Sequence, residues 1–105
     1  MPLNEEIKAL QADVAEFCMR WDVSELALFG SVLRDDFGPE SAVDVLVTLD
    51  EKAEHTLFDL HQMEEDLRLI FGHDVDLVSR RGIESSRNQG RRRAILQSAQ
   101  VIYES

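Results

Sequence analysis

The sequence is short of several features that define whole classes of protein. Cys18 is its only cysteine, so no disulfide can form within the chain, and a lone cysteine in a helical pattern is typical of a small buried side chain. No apolar run approaches the roughly 20 residues that span a bilayer. The N-terminus, Met-Pro-Leu-Asn-Glu-Glu, lacks the basic and apolar parts of a signal sequence. We therefore expect a cytoplasmic protein with no membrane partner.

Basic residues are scarce over most of the chain and concentrated at its end. Residues 1–79 hold five basic and nineteen acidic side chains, whereas residues 80–105 hold six arginines and two glutamates. The net charge of -10 argues against direct nucleic-acid binding, because an acidic surface repels phosphates. The basic tail is either a solvated helix paired with the acidic body, or a surface for an acidic partner, a nucleotide phosphate or RNA. Composition by itself favours the solvated helix.

The length of 105 residues is suited to one compact domain, which we assign to residues 1–105. Hydrophobic periodicity predicts seven elements in the order α-β-α-β-α-β-α. The predicted helices span 4–21, 31–37, 55–71 and 91–103, and the predicted strands span 24–29, 43–49 and 74–79. Asn4 is the expected N-cap of the first helix and Gly72 the expected C-cap of the third. The fold class is α/β (α+β), with a small mixed sheet of three or more strands and helices packed mainly on one side.

A Gly-Ser turn follows the first predicted strand. A glycine at Gly30 lets the backbone approach a phosphate closely, and the amides of the following helix start, with the Ser31 hydroxyl, would donate to it. An ordinary strand-to-helix turn with Ser31 as N-cap explains these two residues equally well.

Two aspartates interrupt otherwise apolar strands. Asp44 lies in Val-Asp-Val-Leu-Val and Asp76 in Val-Asp-Leu-Val. A carboxylate within a strand is costly unless it is paired or binds a cation, and Mg²⁺ prefers carboxylates together with substrate phosphates. Each aspartate alone is explained by a nearby arginine or loop amide, but the two together, beside a phosphate-type turn, favour a metal site.

These residues resemble the signature of a known family. Gly30-Ser31, ten residues, then position 42, Val43 and Asp44 is similar to Gly-Ser-x10-Asp-x-Asp of the minimal nucleotidyltransferases, in the DNA polymerase β-like superfamily. "LFGSVLR" and "SAVDVLV" resemble that family's "LFGSxAR" and "SDIDLLV". "VDLV" resembles the later strand that carries the third carboxylate, and "RRRAIL" resembles the closing helix, so the likeness covers most of the chain.

The resemblance implies a role for each matching residue. Gly30 and Ser31 would hold the triphosphate of ATP, with Arg34 a further nucleotide contact. Asp44 and Asp76 would be catalytic residues and Mg²⁺ ligands in a site that holds two ions when intact. The implied chemistry is in-line attack on the α-phosphorus with release of pyrophosphate.

Position 42 departs from the family pattern, because Ala42 stands where a metal-binding aspartate is expected. A methyl group cannot bind Mg²⁺, and losing a group that stabilises transition-state charge costs at least about 10² to 10³ in rate. Either the natural protein is a non-catalytic member, or an active enzyme carries an inactivating aspartate-to-alanine substitution. The intact neighbouring motif residues favour the second explanation.

Small members of this family resemble antitoxins paired with RNA-cleaving HEPN-domain toxins. The resemblance implies Mg²⁺-dependent transfer of AMP from ATP to a toxin hydroxyl, with tyrosine as the expected acceptor, in a hetero-oligomer of the two proteins. The alternative is a catalytically dead module that neutralises its partner by occlusion. Arg80, Arg81 and Arg87, which follow the Asp76 strand, are expected to meet the triphosphate or an acidic partner.

Overall fold

The computed structural model describes residues 2–30, 41–52 and 54–104. The predicted helix over 31–37 lies outside these ranges. In chain order, the elements are α1 Pro2–Trp21, β1 Val23–Phe29, β2 Val43–Leu49, α2 Leu57–Phe71, β3 Val75–Ser79, α3 Arg80–Glu84, α4 Gln89–Ser98 and β4 Gln100–Glu104.

The four strands of the described residues form one mixed sheet in the order β3-β2-β1-β4. β1 pairs antiparallel with both β2 and β4, while β2 and β3 are parallel and are joined through α2. A parallel pair needs such a crossover helix, because its second strand must restart at the same end of the sheet. The predicted mixed sheet of three or more strands is confirmed.

The first two described helices begin and end for local reasons. α1 begins at Pro2, so the expected N-cap at Asn4 is wrong; the fixed φ of proline suits the first turn of a helix. In α2, Thr56 is the N-cap of a capping box with Asp59. Gly72 ends α2 with a left-handed φ of 69°, as the sequence predicts.

Apolar side chains alternate between the two faces of the sheet and form two clusters. The larger cluster joins α1 and α2 to one face, and its fully buried members include Phe17, Leu28, Val45, Met63 and Leu67. The smaller cluster lies on the other face and consists of Ala27, Phe29, Leu46, Ile83 and Ile95. The sequence predicts helices mainly on one side of the sheet, whereas the structure has α1 and α2 on one face and α3 and α4 on the other.

The end of the chain differs from the predicted order. Residues 100–103 are not helical: α4 ends at Ser98, Ala99 is extended, and β4 pairs with β1. The reason is tertiary, because β1 is buried and the pairing satisfies backbone groups along its second edge. α3, which the sequence did not predict, is a five-residue helix with Ser79 as N-cap, too short to show a hydrophobic period. Within the described ranges, no helix has the length and apolarity needed to cross a membrane.

Candidate active site at one end of the sheet

The two predicted carboxylates lie side by side. β2 and β3 are in register with Asp44 opposite Asp76, and β1 continues the row with Phe29 opposite Asp44. Neighbouring strands are about 4.8 Å apart, and partners in a parallel pair point to the same face. Asp44 is half-buried and Asp76 is exposed. The fold thus brings together two aspartates that are 32 positions apart in the sequence.

Gly30 completes this end of the sheet. It follows directly after β1, with a left-handed φ of +73°. A Cβ built on Gly30 would lie 3.2 Å from Cγ of Asp44 and closer still to its Oδ2 atom. The Gly30 backbone therefore lies against Asp44, the predicted metal ligand, and no side chain larger than hydrogen fits at position 30 without displacing the carboxylate.

Ser31 and Arg34, the other predicted nucleotide-binding residues, lie outside the described residues. Their roles stay predictions. Because β1 and β2 are antiparallel, the chain leaves β1 at the end of the sheet where β2 begins. Gly30, the last described residue before this gap, therefore lies at the same end of the sheet as the two aspartates.

Ala42 directly precedes β2 and is half-buried. The amide of Val43 donates to the Asp74 carbonyl at 2.7 Å, which begins the pairing with β3 next to it. In the part of the chain that the structure describes, no group of three or more His, Cys, Asp or Glu side chains is placed to hold a metal ion. Asp44 and Asp76 fit one Mg²⁺, which binds one or two carboxylates and takes its other ligands from water and phosphates. A second ion would need a ligand that Ala42 does not supply.

Arg80, which was expected to meet either the triphosphate or an acidic partner, lies at the opposite end of the strands from Asp44. Its Nε donates to Oγ1 of Thr48 at 3.1 Å, and its Nη2 donates to Oε1 of Glu25 at 3.2 Å. Thr48 is four residues beyond Asp44 on β2, about 13 Å along an extended strand. The signal for this network is Glu25, a charged residue in an apolar strand that needs a partner.

A cavity of about 600 Å³ occupies that same far end. Its lining includes Thr48, His55, Ser79, Arg80 and Glu84. Several of these side chains are already bonded; the Nε2 atom of His55, for example, lies 2.8 Å from the carbonyl oxygen of Trp21. The cavity and the carboxylate pair are therefore separate features, and the chemistry suggested by the sequence belongs to the carboxylate pair.

The lone cysteine does not have the properties of a reactive thiol. Cys18 is 1% exposed, and burial raises the pKa of its thiol to about 12. The thiolate is the nucleophilic form, so a thiol that stays protonated at neutral pH is suited to packing.

Comparisons with known proteins identify the family. The family profile described as "Nucleotidyltransferase domain" matches residues 11–102. The protein adenylyltransferase MntA of Thermococcus cleftensis is 35% identical over 82 residues, which cover 77% of this chain and 81% of that protein. The solved structure of a candidate minimal nucleotidyltransferase is 30% identical, with a TM-score of 0.70 over 91% of this chain and 92% of that one.

A more distant structure shares the fold. It is the MNT antitoxin in complex with a tri-AMPylated HEPN toxin of Shewanella oneidensis, with a TM-score of 0.64 and 14% identity over 94% of this chain and 73% of the solved one. The resemblance to the minimal nucleotidyltransferases is thus confirmed by the profile and the nearer relatives. Because the profile matches residues 11–102 and the MntA relative is 35% identical, the chain belongs to the nucleotidyltransferase domain family.

Proposed function

We propose that this chain is a protein adenylyltransferase of the antitoxin type. In this proposal it transfers AMP from ATP to a hydroxyl, with tyrosine as the expected acceptor, of a HEPN-domain toxin, in a Mg²⁺-dependent reaction that Ala42 impairs. The observation that carries the proposal is the placement of Asp44 beside Asp76, at the end of the sheet where Gly30 follows β1.

The relatives support the choice of reaction and partner. MntA, the relative that is 35% identical, is named a protein adenylyltransferase. The Shewanella complex joins an MNT antitoxin to a HEPN toxin that carries AMP groups. A chain with this fold and these site residues is suited to the same reaction.

The proposed step is an in-line displacement. The acceptor oxygen forms a bond to the α-phosphorus of ATP, the bond from that phosphorus to the bridging oxygen breaks, and pyrophosphate leaves with the bonding electrons. Mg²⁺, when bound, stabilises the charge on the attacking and leaving oxygens. The exposed Asp76 is open to the acceptor and orients its hydroxyl, whose proton passes to a carboxylate or to water.

Asp44 has the complementary role of a fixed anchor. It is half-buried and lies against the Gly30 backbone, so its carboxylate is positioned before any substrate arrives. Position 42 is two residues earlier, where alternate side chains of an extended chain share a face. An aspartate at position 42 would add a third carboxylate to the pair, and its replacement by Ala42 is expected to lower the rate by at least about 10².

The test restores the missing carboxylate. We compare three proteins: the unaltered chain, Ala42→Asp, and Ala42→Asn, in which asparagine has nearly the shape of aspartate without its charge. Each is incubated with Mg²⁺, ATP labelled in the α-phosphate and the HEPN-domain protein encoded beside this chain's gene. We expect Ala42→Asp to label the partner at least about 10²-fold faster than the other two forms. If Ala42→Asp binds the partner and transfers no label, the proposal fails.

Ala42 also favours a second candidate, a module that neutralises its partner by occlusion without turnover. This function needs no ATP. The unaltered chain is mixed with its partner at equal concentrations, with and without ATP, and RNA cleavage is measured. If cleavage is blocked equally well in both cases, the chain with Ala42 acts by occlusion and not by AMP transfer.

A further inference from the structure

The arginines of the C-terminal segment fall into two groups. Arg80 is held by Glu25 and also lies 3.8 Å from Glu84, and Arg92 donates to the Glu84 carbonyl at 3.3 Å. The other four are exposed and, among the residues that the structure describes, make no ion pair. We call these four the arginine patch: Arg81, Arg87, Arg91 and Arg93.

The arginine patch belongs to the layer that covers the carboxylate face of the sheet. α3 and α4 pack on Leu46 and Val78 through the smaller apolar cluster. Asp44 lies two residues before Leu46 on β2, and Asp76 two residues before Val78 on β3, so all four side chains share one face. The bond from Arg92 to the Glu84 carbonyl connects the end of α3 to α4. The four arginines thus fall within 13 residues of the layer on this face.

The chemistry of the patch selects an anionic surface. All six basic residues of segment 80–105 are arginines, and the rest of the chain has a formal balance of fourteen negative charges. A guanidinium presents a planar fork that binds a carboxylate through two parallel hydrogen bonds. Four exposed forks on an otherwise acidic protein favour a partner whose contacting side chains are Asp and Glu.

The observations favour a protein over RNA as this partner. Proteins that hold single-stranded nucleic acid combine basic grooves with aromatic side chains on which bases stack. Residues 80–102 contain no Phe, Trp or Tyr. RNA is an extended polyanion, and its phosphates beyond the arginine patch would be repelled by the acidic remainder of the chain. A protein surface, in contrast, can place its carboxylates opposite the patch alone.

We infer that the arginine patch is the docking surface for an acidic region of the acceptor protein, on the same sheet face as Asp44 and Asp76. This inference rests on the proposed function, because it assigns the contact that brings the acceptor to the site. Docking there would place the acceptor on the side of the sheet where its hydroxyl can reach the bound nucleotide.

The experiment compares two double charge reversals with the same net charge. Arg81→Glu/Arg93→Glu alters the patch, and Lys8→Glu/Lys52→Glu alters two exposed lysines outside it. Calorimetry measures the Kd for the HEPN-domain protein encoded beside this chain's gene, at low and at physiological salt. We expect the patch variant to bind at least about tenfold more weakly, with a flatter salt dependence, and the lysine variant to stay within about twofold.

Three results would overturn the inference. The first is equal weakening by both variants, which assigns the effect to net charge, and the second is unchanged binding by the patch variant. The third is a patch variant that loses affinity for a fluorescent ATP analogue or a uridine oligonucleotide in the absence of the acceptor, which assigns the arginines to phosphates. Thermal unfolding of each variant checks that it is folded.

Binding and transfer are measured separately, so the two proposals fail differently. If Ala42→Asp binds the HEPN protein through the arginine patch and transfers no AMP, the enzymatic function fails while the docking surface stands. If the unaltered chain does not bind the HEPN protein, both fail.

Discussion

The carboxylate of Asp44 occupies the space that a Cβ would need at Gly30. A glycine in a phosphate-binding turn is usually explained by the ligand it admits, but here the protein itself requires it. Gly30 and Asp44 are therefore positioned by one contact, and a substitution at either residue should change the position of the other.

Gly30→Ala tests this contact. The new methyl group would collide with Asp44 and also force alanine into a left-handed backbone, so we expect unfolding in urea to show a loss of about 2 to 4 kcal/mol. Gly72→Ala is the matched control, because Gly72 has a similar φ of +69° with nothing within 4 Å of its built Cβ. That variant should lose only about 1 to 2 kcal/mol, the cost of the left-handed backbone alone.

Removing Asp44 provides the complementary control. In an Asp44→Ala background the collision is absent, so Gly30→Ala should then cost about as much as Gly72→Ala. If Gly30→Ala lost the same free energy of unfolding with Asp44 present and with Asp44→Ala, the contact between the two residues would be contradicted.

The proposed metal-binding role of Asp76 predicts a difference between two aspartates on the same segment. In Ala42→Asp protein that is saturated with a non-hydrolysable ATP analogue, Asp76→Asn should weaken Mg²⁺ binding at least about tenfold by calorimetry. Asp74→Asn is the control, since the Asp74 side chain is 82% exposed and lies 3.9 Å from Arg68 on α2. Equal effects of the two substitutions would assign the change to general electrostatics.

Arg80 should contribute to stability and not to nucleotide binding. It bridges Glu25 on β1 and Thr48 on β2, and its side chain and that of Glu25 are 34% and 25% exposed. A double-mutant cycle with Glu25→Ala and Arg80→Ala should give a coupling of about 1 kcal/mol in urea unfolding. The affinity for ATP should be unchanged in Arg80→Ala. If Arg80→Ala lost ATP affinity without losing stability, Arg80 would be a nucleotide contact.

Cys18 predicts a pH dependence of stability. Burial raises the pKa of its thiol from 9.0 to about 12, so the folded state favours the protonated form. The contribution to stability is complete below pH 9 and is lost as the pH rises from 9 towards 12, because only the unfolded chain then releases the proton. Between pH 8 and pH 10.5 the free energy of unfolding should fall by about 1 to 2 kcal/mol more than in Cys18→Ala. A parallel fall in both proteins would show that the thiol does not contribute.

Elements that follow from local sequence were predicted well. β2 spans Val43–Leu49, as its β-branched run indicates, and α2 ends at Phe71 before the C-cap glycine. Both signals are short-range: a strand propensity in one case, and in the other a helical period closed by a residue that tolerates a left-handed φ. The candidate aspartates were found in the same way, as charges where the local pattern requires apolar residues.

Elements that depend on a distant neighbour were not predicted. Residues 100–103 continue a helical period in the sequence, yet they form β4 because β1 has a free edge beside them. From the sequence, Arg80 is a candidate phosphate ligand, but in the structure it is paired with Glu25. In each case the deciding interaction joins residues more than 50 positions apart, which a window of the sequence does not contain.

The sequence by itself determined the family signature, the helix and strand content of most of the chain, and the absence of a carboxylate at Ala42, because these are properties of residue type and short spacing. Only the tertiary structure decided that Asp44 lies beside Asp76, that Gly30 contacts Asp44, and that the arginines divide into bonded and exposed groups. The physical reason is register: hydrogen bonding between strands fixes which distant residues become neighbours, and burial of the apolar face fixes which register is stable.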